Sequence, residues 1–281
     1  MKNKRIKIIT SLFFMIIILV IVYHKRDEEN KPNINTNIET ITISGSTSVG
    51  SLIQKQTDEF KKENIEANVD INQSNSSLGI KDVISGTSEI GISSRDLKEE
   101  ELLEDLVEVE IAFDGIVLIT NKNNKVNSLK INQIKDIYTG KITNWEEVGG
   151  KNSKIIVVSR EDGSGTRNAF QKILGYKSEE LCKEAIISYC SKDIKTKVAE
   201  NEYSIGFISF EYLDDSVNAL KIDDISAIAE NIKSGEYKLS RPLLLVYKEE
   251  NLKESANKLI NFILSKEGQK IVEESGLIKI N

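Results

Sequence analysis

The chain has 281 residues, 39% of them apolar and 29% charged, with a formal net charge of −6. This is an ordinary soluble balance, enough for one large domain or two small ones. The first 26 residues depart from it: they hold Lys2, Lys4, Arg5, Lys7, Lys25 and Arg26 and no acid. With those six set aside, 32 basic residues face 44 acidic ones, a net charge of −12. So acidic a domain offers no broad basic face and is excluded as a nucleic-acid binder.

In chain order, the basic cluster precedes an apolar run from Ile8 to Tyr23, broken only by Thr10 and Ser11. That is the pattern of an export segment. No A-x-A-like site and no cysteine follows, which excludes lipid attachment there and favours an uncleaved anchor over residues 1–26, with cleavage and secretion as the alternative. The run is slightly shorter than the ~20 residues that span a bilayer comfortably. Residues 27–39, with Pro32 and four asparagines, read as a tether.

Strands and helices then alternate. Ile41–Ile43 is a β-branched run, and Val49–Lys62 places Val49, Leu52, Ile53 and Phe60 on one helical face. Strands follow at Val69–Ile71 and Glu89–Ile92, with a short helix between them from Gly79 to Ser85. The Lys/Glu run from Lys98 to Glu108 reads as a solvated helix face. Gly115–Thr120, Lys154–Val158 and Ile205–Phe210 read as apolar strands, with helices over Ile131–Tyr138 and around Phe170–Leu174. Repeated βαβ patterning argues for parallel sheets covered by helices on both faces. Cys182 and Cys190 could pair outside the membrane or remain buried thiols. Trp145 reads as a packing residue.

Three loops share one design: Gly45-Ser46-Thr47-Ser48, Ser74-Asn75-Ser76-Ser77, and Arg160 to Thr166. Each follows a strand, is rich in Gly, Ser or Thr, and leads into a helix. In an open α/β sheet such loops lie at the carboxyl ends of the strands, where ligands bind. Helix N-termini there present N–H groups that favour an anion. Singly, each loop is equally read as helix capping; three together point to a shared anion site. In the third loop Arg160 supplies a planar guanidinium, Gly163 and Gly165 permit close backbone approach, and Ser164 and Thr166 add hydroxyls. Asp162 carries the wrong charge for an anion. It fits if the ligand bears a proton that a carboxylate can accept, as hydrogen phosphate does and sulfate does not. The alternative is a surface pair between Arg160 and Asp162.

These motifs resemble the periplasmic phosphate-binding protein family, the substrate-binding subunits of phosphate ABC importers. The pieces that carry the likeness are ITISGSTSVG (41–50), SNSSLGIKDVISGTSEIGISSRDL (74–97), AFDGIVLITNK (112–122), IKDIYTGKITNWEEVGG (134–150), VVSREDGSGTRNAF (157–170), YSIGFISF (203–210) and SRPLLLVYK (240–248). The resemblance implies an α/β, two-lobed periplasmic-binding-protein-like architecture with two hinge crossings and a ligand cleft. The lobes would be residues 40–114 plus 242–281 and residues 115–241. It also implies, at the matching positions, a phosphate site in which Thr47 donates through its hydroxyl, Ser48 through its backbone and Ser76 from the second loop. Arg160 would be the charge partner and Asp162 the acceptor of the ligand's proton, with Ser164, Gly165 and Thr166 closing the cage. Two positions depart from the family pattern. Ser94-Arg95 stands where some members have Asp, which makes Ser94 a neutral donor and leaves Arg95 either to contact the anion or, the preferred reading, to bridge the lobes. Leu78 stands where a small residue is usual.

The implied partners are inorganic phosphate and the membrane permease and ATPase subunits of an importer, for a monomeric protein that binds no nucleic acid. The alternative is a membrane-tethered phosphate sensor or scavenger without a transport role. No cofactor is expected, and no enzyme activity. Gly163-Ser164-Gly165 lacks the G-x-S-x-G spacing, and the one histidine, His24, precedes the domain, leaving no imidazole base.

Overall fold

The structure, a computed structural model, describes residues 39–64 and 68–280. The apolar run at residues 8–23 and the tether up to residue 38 lie outside them, so the export expectation falls on residues not described here. Among the described residues no helix is long and apolar enough to cross a membrane. Residues from Glu39 onward form one compact unit.

The chain opens with β1 (Thr40–Ser46), α1 (Thr47–Glu63), β2 (Asn68–Ser74), α2 (Ser76–Ile84) and β3 (Ile90–Ser93). β1 pairs in parallel with β2 on one side and β3 on the other. Ile41 and Ile43 are fully buried and face the apolar stripe of α1: Val49, Leu52, Ile53 and Phe60. Gln56 lies inside that stripe, and its Nε2 donates to the Gly268 carbonyl at 3.0 Å, the partner a buried amide requires.

β4 (Val107–Thr120) is the longest strand, 14 residues, or about 46 Å at the usual rise. Its sequence changes character midway. Glu108 and Glu110 are exposed between half-buried Val107 and Val109, whereas every residue from Asp114 to Thr120 is buried. The first half pairs antiparallel with β11 (Ser240–Tyr247), the second with β8 (Ser204–Ser209). β4 therefore runs from one core into the other. One buried cluster holds Ile41, Ile43, Leu52, Ile92, Ile111, Leu243, Leu245 and Leu259. The other holds Ile116–Ile119, Tyr138, Trp145, Phe170, Phe207 and Tyr237.

The second core is built from α3 (Ile131–Tyr138), β6 (Ile156–Arg160), α4 (Gly165–Leu174), β7 (Ile186–Ser188) and α5 (Ser191–Glu200) around β8. β6 pairs in parallel with both β7 and β8. Phe170 of α4 stacks on Phe207 of β8 with centroids 4.2 Å apart, and Tyr138 meets Phe170 edge-on at 4.8 Å. Trp145 is buried, as expected of a packing residue, and its Nε1 donates to the Tyr203 carbonyl at 2.9 Å. After the short α6 (Ala229–Lys233) come α7 (Glu254–Leu264) and α8 (Lys266–Glu274), which pack on the first core.

The sheet order is β2-β1-β3-β11-β4-β8-β6-β7, with the short strand β9 (Asn218–Ala219) beside β4; the short strands β5 (Ser128–Leu129) and β10 (Lys221–Ile222) pair with each other in parallel. The expected parallel pairing holds in the outer thirds, but the centre is antiparallel, because β4 and β11 cross between the cores in opposite directions. The run Lys98–Glu108 is not a helix. Only Glu101–Leu103 forms a single 3₁₀ turn, and β4 begins at Val107. There the carboxylate of Glu101 is drawn down onto Arg95, and valine–glutamate alternation suits a strand with one wet face. Cys182 and Cys190 are both free thiols.

At the crossing point Arg241 of β11 and Asp114 of β4 form a fully buried pair, with Nη2 and Nε 2.7 and 3.1 Å from one carboxylate oxygen. Burial pushes the Asp114 carboxyl above its ordinary range and Arg241 opposes that shift. The second Asp114 oxygen accepts from the Phe210 N–H at 3.0 Å, and Arg241 Nη1 donates to the Ser94 carbonyl at 3.3 Å. Removing one member of such a pair strands the other charge in a dry place. Arg241→Ala is expected to lower the unfolding free energy by about 3–5 kcal/mol. Urea denaturation checks this; a loss below about 1 kcal/mol would show that the pair is not buried in solution.

Candidate functional site

The carboxyl ends of β1, β3 and β6, and the loop after β2, bring three helix starts together. The first turns of α1, α2 and α4 contain no acidic residue, so no acid of their own first turns offsets the positive ends of their dipoles. The N-caps differ. Asn75 caps α2 by accepting from the Leu78 N–H at 3.0 Å, and Ser164 caps α4 by accepting from the Arg167 N–H at 3.3 Å. Ser46 sits at the N-cap of α1 without capping it. Its hydroxyl turns to Ser94, 2.9 Å away.

Around these starts lies a cluster of buried hydroxyls contributed by both cores. Ser76 Oγ accepts from the Ser94 N–H at 3.1 Å and lies 3.4 Å from Ser94 Oγ. Ser48 Oγ on α1 meets Thr166 Oγ1 on α4 at 3.0 Å. The Ser77 N–H donates to the Gly163 carbonyl at 3.2 Å. Gly165 makes the approach possible. A Cβ there would stand 2.1 Å from Ser76 Oγ and 2.5 Å from Ser94 Oγ, closer than any side chain tolerates. Gly163 has φ 87° and faces Asn75, so the loop bends where only glycine bends freely.

Arg160, 2% exposed, ends β6 and reaches into this space. Its Nε and Nη2 are gripped by Glu161 at 2.8 and 2.9 Å. Nη2 also donates to the Tyr189 carbonyl at 3.0 Å and lies 3.5 Å from Thr47 Oγ1. Among the described residues Nη1 has no hydrogen-bond partner. The guanidinium is thus aimed by one carboxylate and one carbonyl while a donor stays available.

Thr47, Ser48, Ser76, Ser94, Arg160, Ser164, Gly165 and Thr166 therefore come together, with the Ser164 hydroxyl committed to its own helix. Asp162 does not join them. Its side chain is 82% exposed and lies 3.0 Å from Arg167 Nη1. The positive φ of Gly163 turns the chain so that Asp162 faces solvent, and the role expected of it, accepting a ligand's proton inside the cage, does not fit this placement. The alternative surface pair with Arg160 is also absent, since Arg160 is paired with Glu161. Arg95 does not bridge the cores: it binds both Glu101 oxygens at 2.7 Å, the Asp96 carbonyl at 2.8 Å and Ser77 Oγ at 3.1 Å, all on its own side. A charged cross-link between the cores is made instead by Lys172 and Asp96, 2.7 Å apart. Leu78 leaves the second loop undisturbed, because its side chain points outward and its N–H serves the cap.

Several contributors escaped the sequence reading. Glu161 follows Arg160 directly, and neighbours in a strand normally face opposite ways; only the end of β6 lets the two side chains converge. The Tyr189 carbonyl carries no residue-type signal. Ser46 was visible as a loop hydroxyl, but its turn away from capping was not.

Comparison with known proteins agrees with this geometry. The model of a PBP superfamily domain matches residues 30–267. The phosphate-binding protein PstS of Bacillus subtilis is 35% identical over 70% of this chain and 66% of its own length. PstS of Borreliella burgdorferi is 27% identical over 98% of this chain and 99% of its own. A crystal structure from Clostridium perfringens, named as a phosphate ABC transporter substrate-binding protein with bound phosphate, is 56% identical. It superposes with a TM-score of 0.85 over 86% of this chain and all of its own. The fold is thus the α/β periplasmic-binding-protein-like type expected. The chain belongs to the PBP superfamily and, within it, to the family of PstS phosphate-binding proteins, which are substrate-binding transport proteins rather than enzymes.

Proposed function

We propose that this protein binds inorganic phosphate outside the cytoplasm and hands it to an ABC-type phosphate importer. The observation that carries the reading is the meeting of three acid-free helix starts, a set of buried hydroxyls and the aimed guanidinium of Arg160 in one small space. Helix N-termini and hydroxyls supply donors without full charge, and Arg160 supplies one charge-assisted contact. Each of four buried arginines near the site already has its own carboxylate: Arg160 has Glu161, Arg241 has Asp114, Arg95 has Glu101, Arg167 has Asp162. The arginines are therefore neutralised in place, and the anion is held chiefly by directed hydrogen bonds, which suits a ligand that must later be released.

The separation of the two buried clusters supports lobes at residues 40–114 plus 242–281 and at 115–241. Contacts across that division support a closed form as the holding state: Ser48 with Thr166, Ser77 with Gly163, and Lys172 with Asp96. The basic–apolar–basic pattern of residues 1–26 supports an anchor that leaves the domain extracytoplasmic, or a secreted domain if it is cleaved. The permease and ATPase subunits are the partners, and the binding unit is a monomer without catalytic activity.

Calorimetric titration of residues 39–281 with phosphate is expected to show one site per chain; absence of binding would refute the proposal. Arg160→Ala removes the charge-assisted contact and is expected to weaken binding about 10- to 100-fold, from the ~1.5–3 kcal/mol of such a bond. Asp162→Asn, at an exposed carboxylate, is expected to leave affinity within about twofold, since exposed pairs contribute ~0–1 kcal/mol. A loss comparable to that of Arg160→Ala would return Asp162 to the site.

A further inference from the structure

A contact between the two cores lies outside the hydroxyl cluster, at the 3₁₀ turn Phe210–Tyr212 that follows β8. Phe210 and Tyr212 pack on the second core, so the turn belongs to that side. Its polar groups reach across to α1, which packs on the first core. The Tyr212 hydroxyl donates to the Thr47 carbonyl at 3.2 Å. Glu211 Oε1 accepts from the Ser51 hydroxyl and lies 3.4 Å from Lys55 Nζ. Ser51 and Lys55 are one helical turn apart and share a face of α1. Lys55 Nζ also donates to Ser275 Oγ at 2.9 Å, at the end of α8.

Glu211 is poorly placed as an ion. Its side chain is 7% exposed, and among the described residues its buried Oε2 has no donor. A buried carboxylate oxygen without a donor carries a cost that a neutral carboxyl largely avoids. The cation that faces it, Lys55, is half exposed and shared with Ser275, so it compensates weakly. From β4, Asp114 adds a like charge, itself countered by Arg241. From α5, Lys192 lies over the Tyr212 ring, 5.9 Å from its centroid. Burial pushes the Glu211 carboxyl above its ordinary range; Ser51 and Lys55 oppose the shift and Asp114 adds to it. A neutral carboxyl suits the same place, because its O–H can donate to Ser51 Oγ and leave Oε2 an uncharged carbonyl. If the cores part, Glu211 leaves α1, meets water and ionises like any exposed glutamate.

We infer that Glu211 is a proton-linked latch between the two lobes: it takes up a proton from solvent as they close on the anion and returns it as they open. The inference rests on the phosphate-binding reading and deepens it by adding a control on capture and release. A carboxyl that holds its proton more tightly in the closed form than in the open one favours closure at low pH. That contribution is complete below the ordinary carboxylate range and is lost as pH rises through the higher range of the closed form. Phosphate is thus held more tightly at mildly acidic pH and released more readily as the latch ionises.

The test is calorimetric titration of the protein with phosphate from pH ~5 to pH ~7.5, in buffers of different ionisation enthalpy, which counts the protons taken up. Glu211→Gln, a neutral isostere of the protonated acid, is run alongside, with thermal melting as the check on folding. The ionisation of phosphate itself is common to both proteins and drops out of the difference. The unaltered protein is expected to take up more protons than Glu211→Gln at pH ~5–6, and the ratio of its dissociation constant to that of the variant is expected to rise at least threefold, roughly, across the range. Equal proton uptake with a constant ratio overturns the inference. If Glu211→Gln does not fold, Lys55→Met decides: loss of the facing cation is expected to extend proton uptake to higher pH, and an unchanged profile overturns the inference. If phosphate does not bind at all, the proposed function fails and the latch falls with it. If phosphate binds without a proton that depends on Glu211, the latch alone fails.

Discussion

Gly165 stands where any side chain would collide with Ser76 and Ser94, and the site depends on that approach. It brings the start of α4, from one core, against hydroxyls that belong to the other. Once the two are that close, the donors of α1, α2 and α4 share one space. Each helix start alone is an ordinary polar end; together, with no acid in any first turn, they form a field that favours an anion. The fold supplies the approach through β4 and β11. These two strands pass from core to core side by side and are tied at the crossing by Asp114 and Arg241.

Charge is handled by pairing rather than by accumulation. The domain is acidic overall, so an attractive site must be built locally. A buried guanidinium is costly without a partner, and Glu161 meets that need for Arg160 while fixing its plane. The consequence is functional: the aimed arginine contributes geometry and one strong donor, and the neutral hydroxyls contribute the remaining contacts.

The sequence was most legible where local rules decide the outcome. The apolar stripe of Val49, Leu52, Ile53 and Phe60, the strand at Ile41–Ile43 and the three Ser/Gly-rich loops all follow from periodicity and turn chemistry, and they lie where those rules put them. Legibility failed where tertiary contacts chose among local options. Lys98–Glu108 has helical composition, yet the Arg95–Glu101 pair and the start of β4 override it. Arg160 had two adjacent acids, Glu161 and Asp162, within reach. The left-handed turn at Gly163 and the competing Arg167 send Asp162 outward and leave Glu161 as the partner, an outcome that no residue pattern encodes. The antiparallel centre of the sheet likewise depends on two long-range crossings.

The central claim is that phosphate sits among the three helix starts, held by hydroxyls and Arg160. A crystal structure of residues 39–281 grown with phosphate tests it most directly. The account predicts the anion within hydrogen-bonding distance of Ser48, Ser76, Ser94, Thr166 and the Nη1 donor of Arg160, with Asp162 still facing solvent. A phosphate bound elsewhere, or one in contact with the Asp162 carboxylate, would contradict it.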